Sequence, residues 1–270
     1  MWSAALLLAL VAQSDPVSRS WNQPVEPFRI IRNIYYVGAS DITAYLIATP
    51  KGHILIDGGF VETAPMILDN VKKLGFHPAD IRILLNSHAH YDHAGGLAAI
   101  KSATGATFMA SEGDAPQLAG GGKDDPQFGD RFLFPPITPD KLLRDGDRVA
   151  LGGMIVVAHV TAGHTRGCTT WTTTAQEAGK TYNVVFGCSL RAPIPLTPAI
   201  TAEFERSFKV VRALPCDIQL GDHPAEYGME EKYAKLKSGA ANPFIDAASC
   251  RREVDMEEAM FHAILSEQQR

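Results

Sequence analysis

The sequence lacks any apolar run long enough to span a bilayer. A membrane-spanning helix needs about 20 consecutive apolar residues, and the longest such run, residues 4–12, is far shorter. It also lacks a basic excess, since 25 Lys and Arg stand against 30 Asp and Glu, for a formal net charge of −5. Sequence-independent binding to nucleic acid depends on clustered Lys and Arg. We therefore expect no nucleic-acid partner and no stable association with membranes.

Repeats and low-complexity tracts are also absent. Hydrophobic residues make up 46% of the 270 positions and charged residues 20%, which is typical of a folded chain with a substantial core. Short β-rich runs alternate with helical patterns, which indicates a layered α/β or α+β domain. The strands are predicted at residues 33–37, 44–48, 54–56, 81–85, 107–110, 149–160, 169–174 and 182–186. The helices are predicted at residues 64–74, around 97–100, and at 203–213, 230–236 and 254–265.

The amino terminus predicts a secretory signal. Residues 1–12 are apolar except for Ser3, and small and polar residues follow, so we place a cut after Ala12 and a catalytic domain at 13–270. This predicts a periplasmic or secreted protein. No Lys or Arg precedes Arg19, which leaves open an alternative in which the apolar start is disordered or the start codon is assigned wrongly.

The motif His88-Ala89-His90-Tyr91-Asp92-His93 follows the predicted strand 81–85 directly. In extended backbone, alternate side chains project to the same side, so His88 and His90 can share one metal ion. Asp92 and His93 follow where the chain turns toward a helix, and they point elsewhere. Four ligands within six residues do not fit one tetrahedral ion. We therefore expect two ions close to each other.

Further ligands must come from distant parts of the chain. His164 lies in a glycine turn after a predicted strand, and His223 lies in a similar turn near the carboxyl terminus. Taken alone, each of these two residues could equally be a ligand or an ordinary histidine. The remaining histidines are predicted to be surface or core residues without a metal: His53, His77, His159 and His262.

The order of these motifs resembles the metallo-β-lactamase superfamily. Asp57-Gly58-Gly59, the motif at 88–93, Gly163-His164-Thr165 and Gly221-Asp222-His223 follow one another as they do in that family. The resemblance extends over nearly the whole chain. It implies an α+β fold, a four-layer αββα sandwich, with a two-zinc site at the edge of the two sheets.

Three features resemble the subclass B3 branch of this superfamily. His93 follows Asp92, where the best-known secreted branch has Arg and uses a Cys ligand. Residues 186–190 lack the Asp that bridges both metals in glyoxalase II, lactonases and RNA-processing nucleases. Ser189 stands where subclass B3 has Ser in place of a ligand. Arg191 and Cys188 depart from the commonest pattern, which affects the expected substrate preference but not the metal site.

The resemblance implies a ligand set and an activity. His88, His90 and His164 would hold the first zinc ion, and Asp92, His93 and His223 the second. The implied enzyme hydrolyses the β-lactam ring of penicillins, cephalosporins and carbapenems with a hydroxide on zinc, and would confer antibiotic resistance. Asp92 would also be catalytic, since it would orient the nucleophile. Relatives in subclass B3 are often monomers.

Two other functions stay open. One is a metallo-hydrolase of the same fold that acts on another ester, lactone or amide. The other is a metal-binding protein without activity, which the complete ligand set disfavours.

Candidate substrate contacts follow from the charge of β-lactams. Their carboxylate could accept a hydrogen bond from Ser189 and pair with Arg191. The segment 117–136 lacks periodicity, and loops of this length are often functional. Within it, Gln127, Phe128 and Phe132 could form an apolar lid. The alternatives are a turn serine, a solvated arginine and an ordinary packed loop.

The four cysteines predict disulfides if the chain is exported. Cys168 and Cys188 each lie ten residues from Ala178, the centre of a predicted hairpin turn, and would face each other in a symmetric hairpin. Cys216 and Cys250 match a disulfide that is usual in subclass B3. A competing hypothesis makes Cys188 a zinc ligand, as Cys is in the other branch.

Overall fold

The computed structural model describes residues 16–270, so the predicted signal peptide at 1–12 lies outside the described residues. The strands are β1 (Phe28–Ile31), β2 (Ile34–Tyr36), β3 (Tyr45–Thr49), β4 (Gly52–Ile56), β5 (Ile81–Leu85), β6 (Thr107–Ser111), β7 (Lys141–Leu143), β8 (Arg148–Leu151), β9 (Met154–Val160), β10 (Thr169–Glu177), β11 (Lys180–Phe186) and β12 (Ile218–Leu220). The helices are α1 (Pro16–Trp21), α2 (Thr63–Lys73), α3 (Tyr91–Ala94), α4 (Leu97–Thr104), α5 (Ala115–Gly120), α6 (Pro198–Ala213), α7 (Met229–Lys237) and α8 (Ala247–Gln268).

The strands form two sheets. One has seven strands in the order β1 to β7, antiparallel from β1 to β4 and parallel from β4 to β7. The other has five strands in the order β12-β11-β10-β9-β8, in which only β12 and β11 are parallel. The fold is therefore mixed α+β with two sheets, as expected.

Successive side chains along the strands of the seven-stranded sheet point to opposite faces and so contribute to two separate hydrophobic cores. In β3, Tyr45 and Ile47 face the second sheet and join the core with Trp171 and Phe186, whereas Leu46 faces α2 and α4. Both faces are apolar because both are covered, as is usual for sheets with parallel strands. The αββα sandwich is confirmed by this arrangement, since α6 and α8 pack together and cover the second sheet.

The element boundaries differ from the predictions in places. The predicted loop 117–136 begins inside α5, where Pro116 near the first turn favours a helix and Gly121 ends it with φ 66°. Helix α6 begins at Pro198 rather than 203, because the Thr197 hydroxyl accepts a hydrogen bond from the Ile200 N–H. The strands β1, β7 and β12 and the helix α1 are short and were not predicted.

The structure pairs Cys168 with Cys188 and Cys216 with Cys250. The hairpin turn consists of Ala178 and Gly179, both with positive φ, so β10 and β11 are offset by one residue from the predicted symmetric register. The first disulfide forms just beyond the paired strands. It rules out Cys188 as a thiolate ligand in this state of the chain.

No helix within residues 16–270 is long and apolar enough to cross a bilayer.

Candidate metal centre

The motif at 88–93 follows β5, and the distant turns return to the same place. His164 follows β9 and His223 follows β12, so loops from both sheets meet at one edge of the sandwich. His90 lies in extended backbone directly before α3, while Asp92 and His93 lie within that short helix. This bend is why four neighbouring side chains divide between two directions.

The first group consists of His88, His90 and His164. Their ring centroids lie 4.9 Å apart for His88 and His90, 4.8 Å for His88 and His164, and 4.6 Å for His90 and His164. One ring nitrogen from each lies within 4.8 Å of the others. Three imidazoles at such distances can bind one ion.

The second group consists of Asp92, His93 and His223. The Asp92 Oδ2 lies 3.5 Å from His93 Nε2 and 3.8 Å from His223 Nε2. The two groups adjoin, because the rings of His88 and His93 are 4.3 Å apart. The structure thus brings all six predicted ligands into two neighbouring clusters, whereas His53, His77, His159 and His262 take part in none of the clusters found in residues 16–270.

Backbone carbonyls orient two of the histidines. His164 Nδ1 lies 2.8 Å from the Arg191 carbonyl oxygen, and His223 Nδ1 lies 2.7 Å from that of Asp41. A carbonyl oxygen only accepts, so Nδ1 carries the proton and Nε2 keeps its lone pair toward the cluster. Trp21 packs its ring edge-on against His223 at 5.3 Å.

Three buried aspartates that were not assigned a role support the loops. Asp57, at φ 66°, accepts hydrogen bonds from Asn86 Nδ2 at 2.9 Å and the Ser87 N–H at 2.7 Å. Asp222 Oδ2 accepts one from the Ser189 N–H at 2.9 Å. These contacts fix the segments on both sides of the clusters.

Asp114 is the third of these aspartates. Its Oδ2 accepts from the Ala89 N–H at 2.9 Å and the Thr165 hydroxyl at 2.8 Å, and its Oδ1 accepts from the Gly167 N–H at 2.7 Å. The carboxylate therefore joins the 88–93 motif to the His164 turn. Burial raises its pKa to about 6, against the opposing effect of these hydrogen bonds.

The donors fit a metal ion. His93 is fully buried, and neither of its ring nitrogens makes a hydrogen bond with a residue in 16–270. A buried polar nitrogen without a partner is costly, and a metal ion would provide one at Nε2. Imidazole nitrogens with one carboxylate oxygen are typical zinc ligands. The site is thus a metal site of the His/Asp type, for which zinc is the typical ion.

The two groups carry different charges when no metal is bound. Burial lowers the pKa of His90 to about 4 and that of His164 to about 3, so both are neutral at pH 7. Burial would also lower the pKa of His93, but the carboxylates of Asp92, Asp222 and Asp57 outweigh it and raise the pKa to about 10. The first group is therefore ready to bind a cation, and the second holds a proton.

We expect metal binding to release a proton only at the second group. A ligand imidazole must give up the proton on its binding nitrogen, and at pH 7 the His93 ring still carries it. Titration calorimetry in buffers of different ionisation enthalpy measures protons released per ion. About one proton is expected for the second group and none for the first; equal release from both groups would contradict these charge states.

The predicted substrate contacts lie at different depths. The Ser189 side chain is buried, and its Oγ accepts a hydrogen bond from the Arg191 N–H at 3.3 Å. Arg191 is exposed, and its charge opposes the rise that burial causes in the pKa of Glu253 and Glu257 on α8. Ser189 and Arg191 thus lie next to the metal centre, because the Arg191 carbonyl oxygen accepts a hydrogen bond from His164 Nδ1.

The residues of the predicted lid also lie at different depths, with the two phenylalanines packed near the site and Gln127 exposed. The Phe128 ring lies edge-on to His90 at 5.0 Å and to Phe132 at 5.2 Å. Phe132 in turn stacks on Tyr91 at 4.3 Å. Gln127 is exposed, and its backbone N–H, not its side chain, makes the hydrogen bond that the structure shows.

Comparison with curated proteins gives partial matches. An N-acyl homoserine lactonase AttM from Rhizobium johnstonii is 37% identical over 82 residues, covering 22% of this chain and 31% of that protein. A hydroxyacylglutathione hydrolase from Rhodospirillum rubrum is 35% identical over 104 residues, covering 38% of this chain and 32% of that protein. The chain thus spans about a third of the length of these curated relatives.

Solved structures match over nearly their full length. The native FEZ-1 metallo-β-lactamase from Legionella gormanii is 40% identical, with a TM-score of 0.90, and the match covers 92% of this chain and 98% of that one. BJP-1, a subclass B3 metallo-β-lactamase of Bradyrhizobium japonicum, is 39% identical, with a TM-score of 0.86 and coverage of 92% and 97%.

The model of the metallo-β-lactamase superfamily also matches residues 37–176, which include the 88–93 motif and His164. The fold, the clustered donors and the near-complete match to solved lactamases agree with one another. This chain belongs to the metallo-β-lactamase superfamily, is similar to its subclass B3 members, and is a hydrolase.

Proposed function

We propose that this protein hydrolyses the β-lactam ring of penicillins, cephalosporins and carbapenems with two zinc ions. The observation that carries the proposal is the pair of adjoining donor groups, of which the second contains Asp92, His93 and His223 and no thiol. The solved relatives of similar sequence and fold are named as β-lactamases. His88, His90 and His164 would hold the first ion, and the second group the other.

Different residues of the chain would contribute to different parts of the reaction. Bound zinc would lower the pKa of water to about 7 and polarise the lactam carbonyl. The Asp92 carboxylate would accept a hydrogen bond from the nucleophile that zinc supplies and so orient it toward the carbonyl carbon. The Arg191 and Asp41 carbonyls keep His164 and His223 in the tautomer whose Nε2 faces the site.

Residues around the metal centre would bind the substrate. Arg191 is exposed and can pair with the carboxylate that β-lactams carry. Phe128 and Phe132, which pack over His90 and Tyr91, offer an apolar wall, and Gln127 lies at the exposed side of the same loop. The Ser189 hydroxyl accepts from the Arg191 N–H and keeps its own proton for donation to a substrate carboxylate.

The test is hydrolysis of a cephalosporin and a carbapenem by the purified chain from residue 13, followed in the ultraviolet. We expect turnover of both, lost with a chelator and restored by zinc. Absence of turnover from protein that binds two zinc ions would overturn the proposed substrate and leave the metal site in place.

A second candidate is hydrolysis of a lactone or thioester. The partial matches to an acyl homoserine lactonase and a hydroxyacylglutathione hydrolase favour it. Those matches, however, cover less than two fifths of the chain. Assays with both substrates, run beside the β-lactams on the same zinc-loaded protein, distinguish the candidates by their relative kcat/KM.

We also propose that the chain is exported to the periplasm or secreted. Two disulfides and an apolar segment at residues 4–12 support this, because disulfides persist in oxidising compartments. Amino-terminal sequencing of the mature protein from a bacterial host should begin close to Gln13. An intact Met1 on soluble, disulfide-bonded protein would contradict export by cleavage.

A further inference from the structure

The loop at residues 121–136, here named the lid loop, touches the metal centre through a second residue besides Phe128. Asp125 is 8% exposed, and its Oδ2 lies 3.6 Å from His90 Nε2. Its Oδ1 accepts hydrogen bonds from the Gln127 N–H at 2.7 Å and the Phe128 N–H at 2.8 Å. One buried carboxylate therefore faces a candidate ligand and holds the turn that carries the lid aromatic.

The position of Asp125 distinguishes His90 from His164 and His223. His164 and His223 present Nδ1 to backbone carbonyls, which leaves Nε2 for a metal. His90 presents Nε2 to a carboxylate, which leaves Nδ1 for the first group. At 3.6 Å the contact is longer than a hydrogen bond, but the negative charge still favours a proton on the nearer nitrogen.

A third contact fixes the carboxylate. Gln117 Nε2, on α5, donates to Asp125 Oδ2 at 3.2 Å. Helix α5 begins directly after Asp114, the residue that joins the 88–93 motif to the His164 turn. Asp125 is therefore held from one side by α5 and from the other by the lid turn, so that its orientation toward His90 depends on the closed lid loop.

We propose that Asp125 is a positioning residue that couples the closed lid loop to the first metal ion. Its Oδ2 keeps the His90 proton on Nε2 and so directs Nδ1 to the metal, while its Oδ1 holds Phe128 over the site. A change that disorders the lid loop should then also lower metal affinity at the first site, and metal binding should order the lid loop. This inference rests on the metal ligands proposed above and does not depend on the substrate.

The first test is the variant Asp125→Asn. Its side-chain oxygen can still accept from the Gln127 and Phe128 N–H groups, but its amide nitrogen cannot accept from His90. Loss of a carboxylate that supports a ligand histidine typically costs 10–100-fold in metal affinity. We expect such a loss at the first site in competition with a chelator, with the cobalt spectrum used to distinguish the two sites.

The matched control is Asp130→Asn. Asp130 Oδ1 accepts from the Asp124 N–H at 2.8 Å in the same loop, but Asp130 is exposed and faces no histidine. This variant should keep the metal affinity of the wild-type chain. Asp125→Ala should lose metal affinity and also make the lid loop more susceptible to limited proteolysis. Equal metal affinity in Asp125→Asn and the wild type would overturn the proposal.

A measurement on the wild-type chain avoids any dependence on the folding of variants. Imidazole ¹⁵N shifts of the zinc-loaded protein report which nitrogen carries the proton and which binds the metal. We expect His90 to be protonated at Nε2, opposite to His164 and His223. A His90 proton at Nδ1 would overturn the coupling, even if β-lactam turnover were confirmed. Conversely, the expected tautomer in a protein without β-lactam turnover would support the coupling and reject only the substrate.

Discussion

Asp92→Asn is expected to lower kcat/KM for β-lactams by about 10²–10⁴-fold, the range of one positioned acid–base group. The carboxylate is the anionic member of the second group, 3.5 Å from His93 Nε2 and 3.8 Å from His223 Nε2. Asparagine keeps the size of the side chain but removes the charge and one acceptor oxygen. Rate and occupancy of the second site should therefore fall together.

Metal analysis and kinetics on the same preparation test this expectation. The zinc content should fall from two ions toward one, and excess zinc should restore occupancy before it restores rate, because the asparagine orients water poorly. The control is Asp69→Asn, an exposed carboxylate on α2 that pairs with Lys72. Full kcat/KM in Asp92→Asn with two ions bound would refute both roles of Asp92.

The same variant has a consequence for the charge of the metal-free site. The Asp92 carboxylate is the main group that raises the pKa of His93, against the lowering effect of burial. Without that carboxylate, burial is opposed only by Asp222 and Asp57, so the pKa of His93 falls from about 10. The proton released on metal binding by the wild-type second group should thus diminish in the variant.

The parts of the site that lie in one short segment could be predicted from the sequence. The 88–93 motif carries four donors, and the spacing of His88 and His90 in extended backbone places them in one direction. Strands β4 and β5 were predicted because continuous apolar residues mark strands that are covered on both faces. Assignment of His164 and His223 needed the order of motifs, since a lone histidine in a glycine turn has no distinctive spacing.

The groups that support the ligands could not be predicted in this way. Asp114 reaches Thr165 and Gly167 across 51 and 53 residues of sequence, and the Asp41 carbonyl reaches His223 across 182. A backbone carbonyl has no residue-type signature at all. Asp125 belongs to a segment without periodicity, so only the folded lid loop shows that its side chain turns inward.

A second large effect is expected at Asp114, a residue that touches no metal. His88 and His90 lie on one of the two segments that it joins, and His164 lies on the other. Because the first group takes ligands from both segments, its geometry depends on this link. Asp114→Ala should therefore lower metal affinity at the first site at least as much as loss of a supporting carboxylate does, about 10–100-fold.

The effect of Asp114→Ala on the stability of the metal-free chain is the difference between two opposing contributions. A pKa raised by burial from 3.8 to about 6 means that the ionised form costs about 3 kcal/mol at pH 7, at 1.36 kcal/mol per unit. Alanine removes that cost. It also leaves two backbone N–H groups and the Thr165 hydroxyl without a partner, at about 1–3 kcal/mol for each buried group. These opposing contributions nearly cancel at the low end of that range.

Chelator competition and chemical unfolding of the metal-free chain separate the two effects. For Asp114→Ala we expect a loss of affinity of about 10–100-fold at the first site and a loss of unfolding free energy between about 0 and 6 kcal/mol. Asp140→Ala is the control, because Asp140 also accepts from a backbone N–H, that of Phe108 at 2.8 Å, but lies on the surface away from the site. If both variants lost stability equally and neither lost metal affinity, Asp114 would be only a structural carboxylate. If Asp114→Ala alone lost the metal, the first site would depend on a residue that no ligand motif contains.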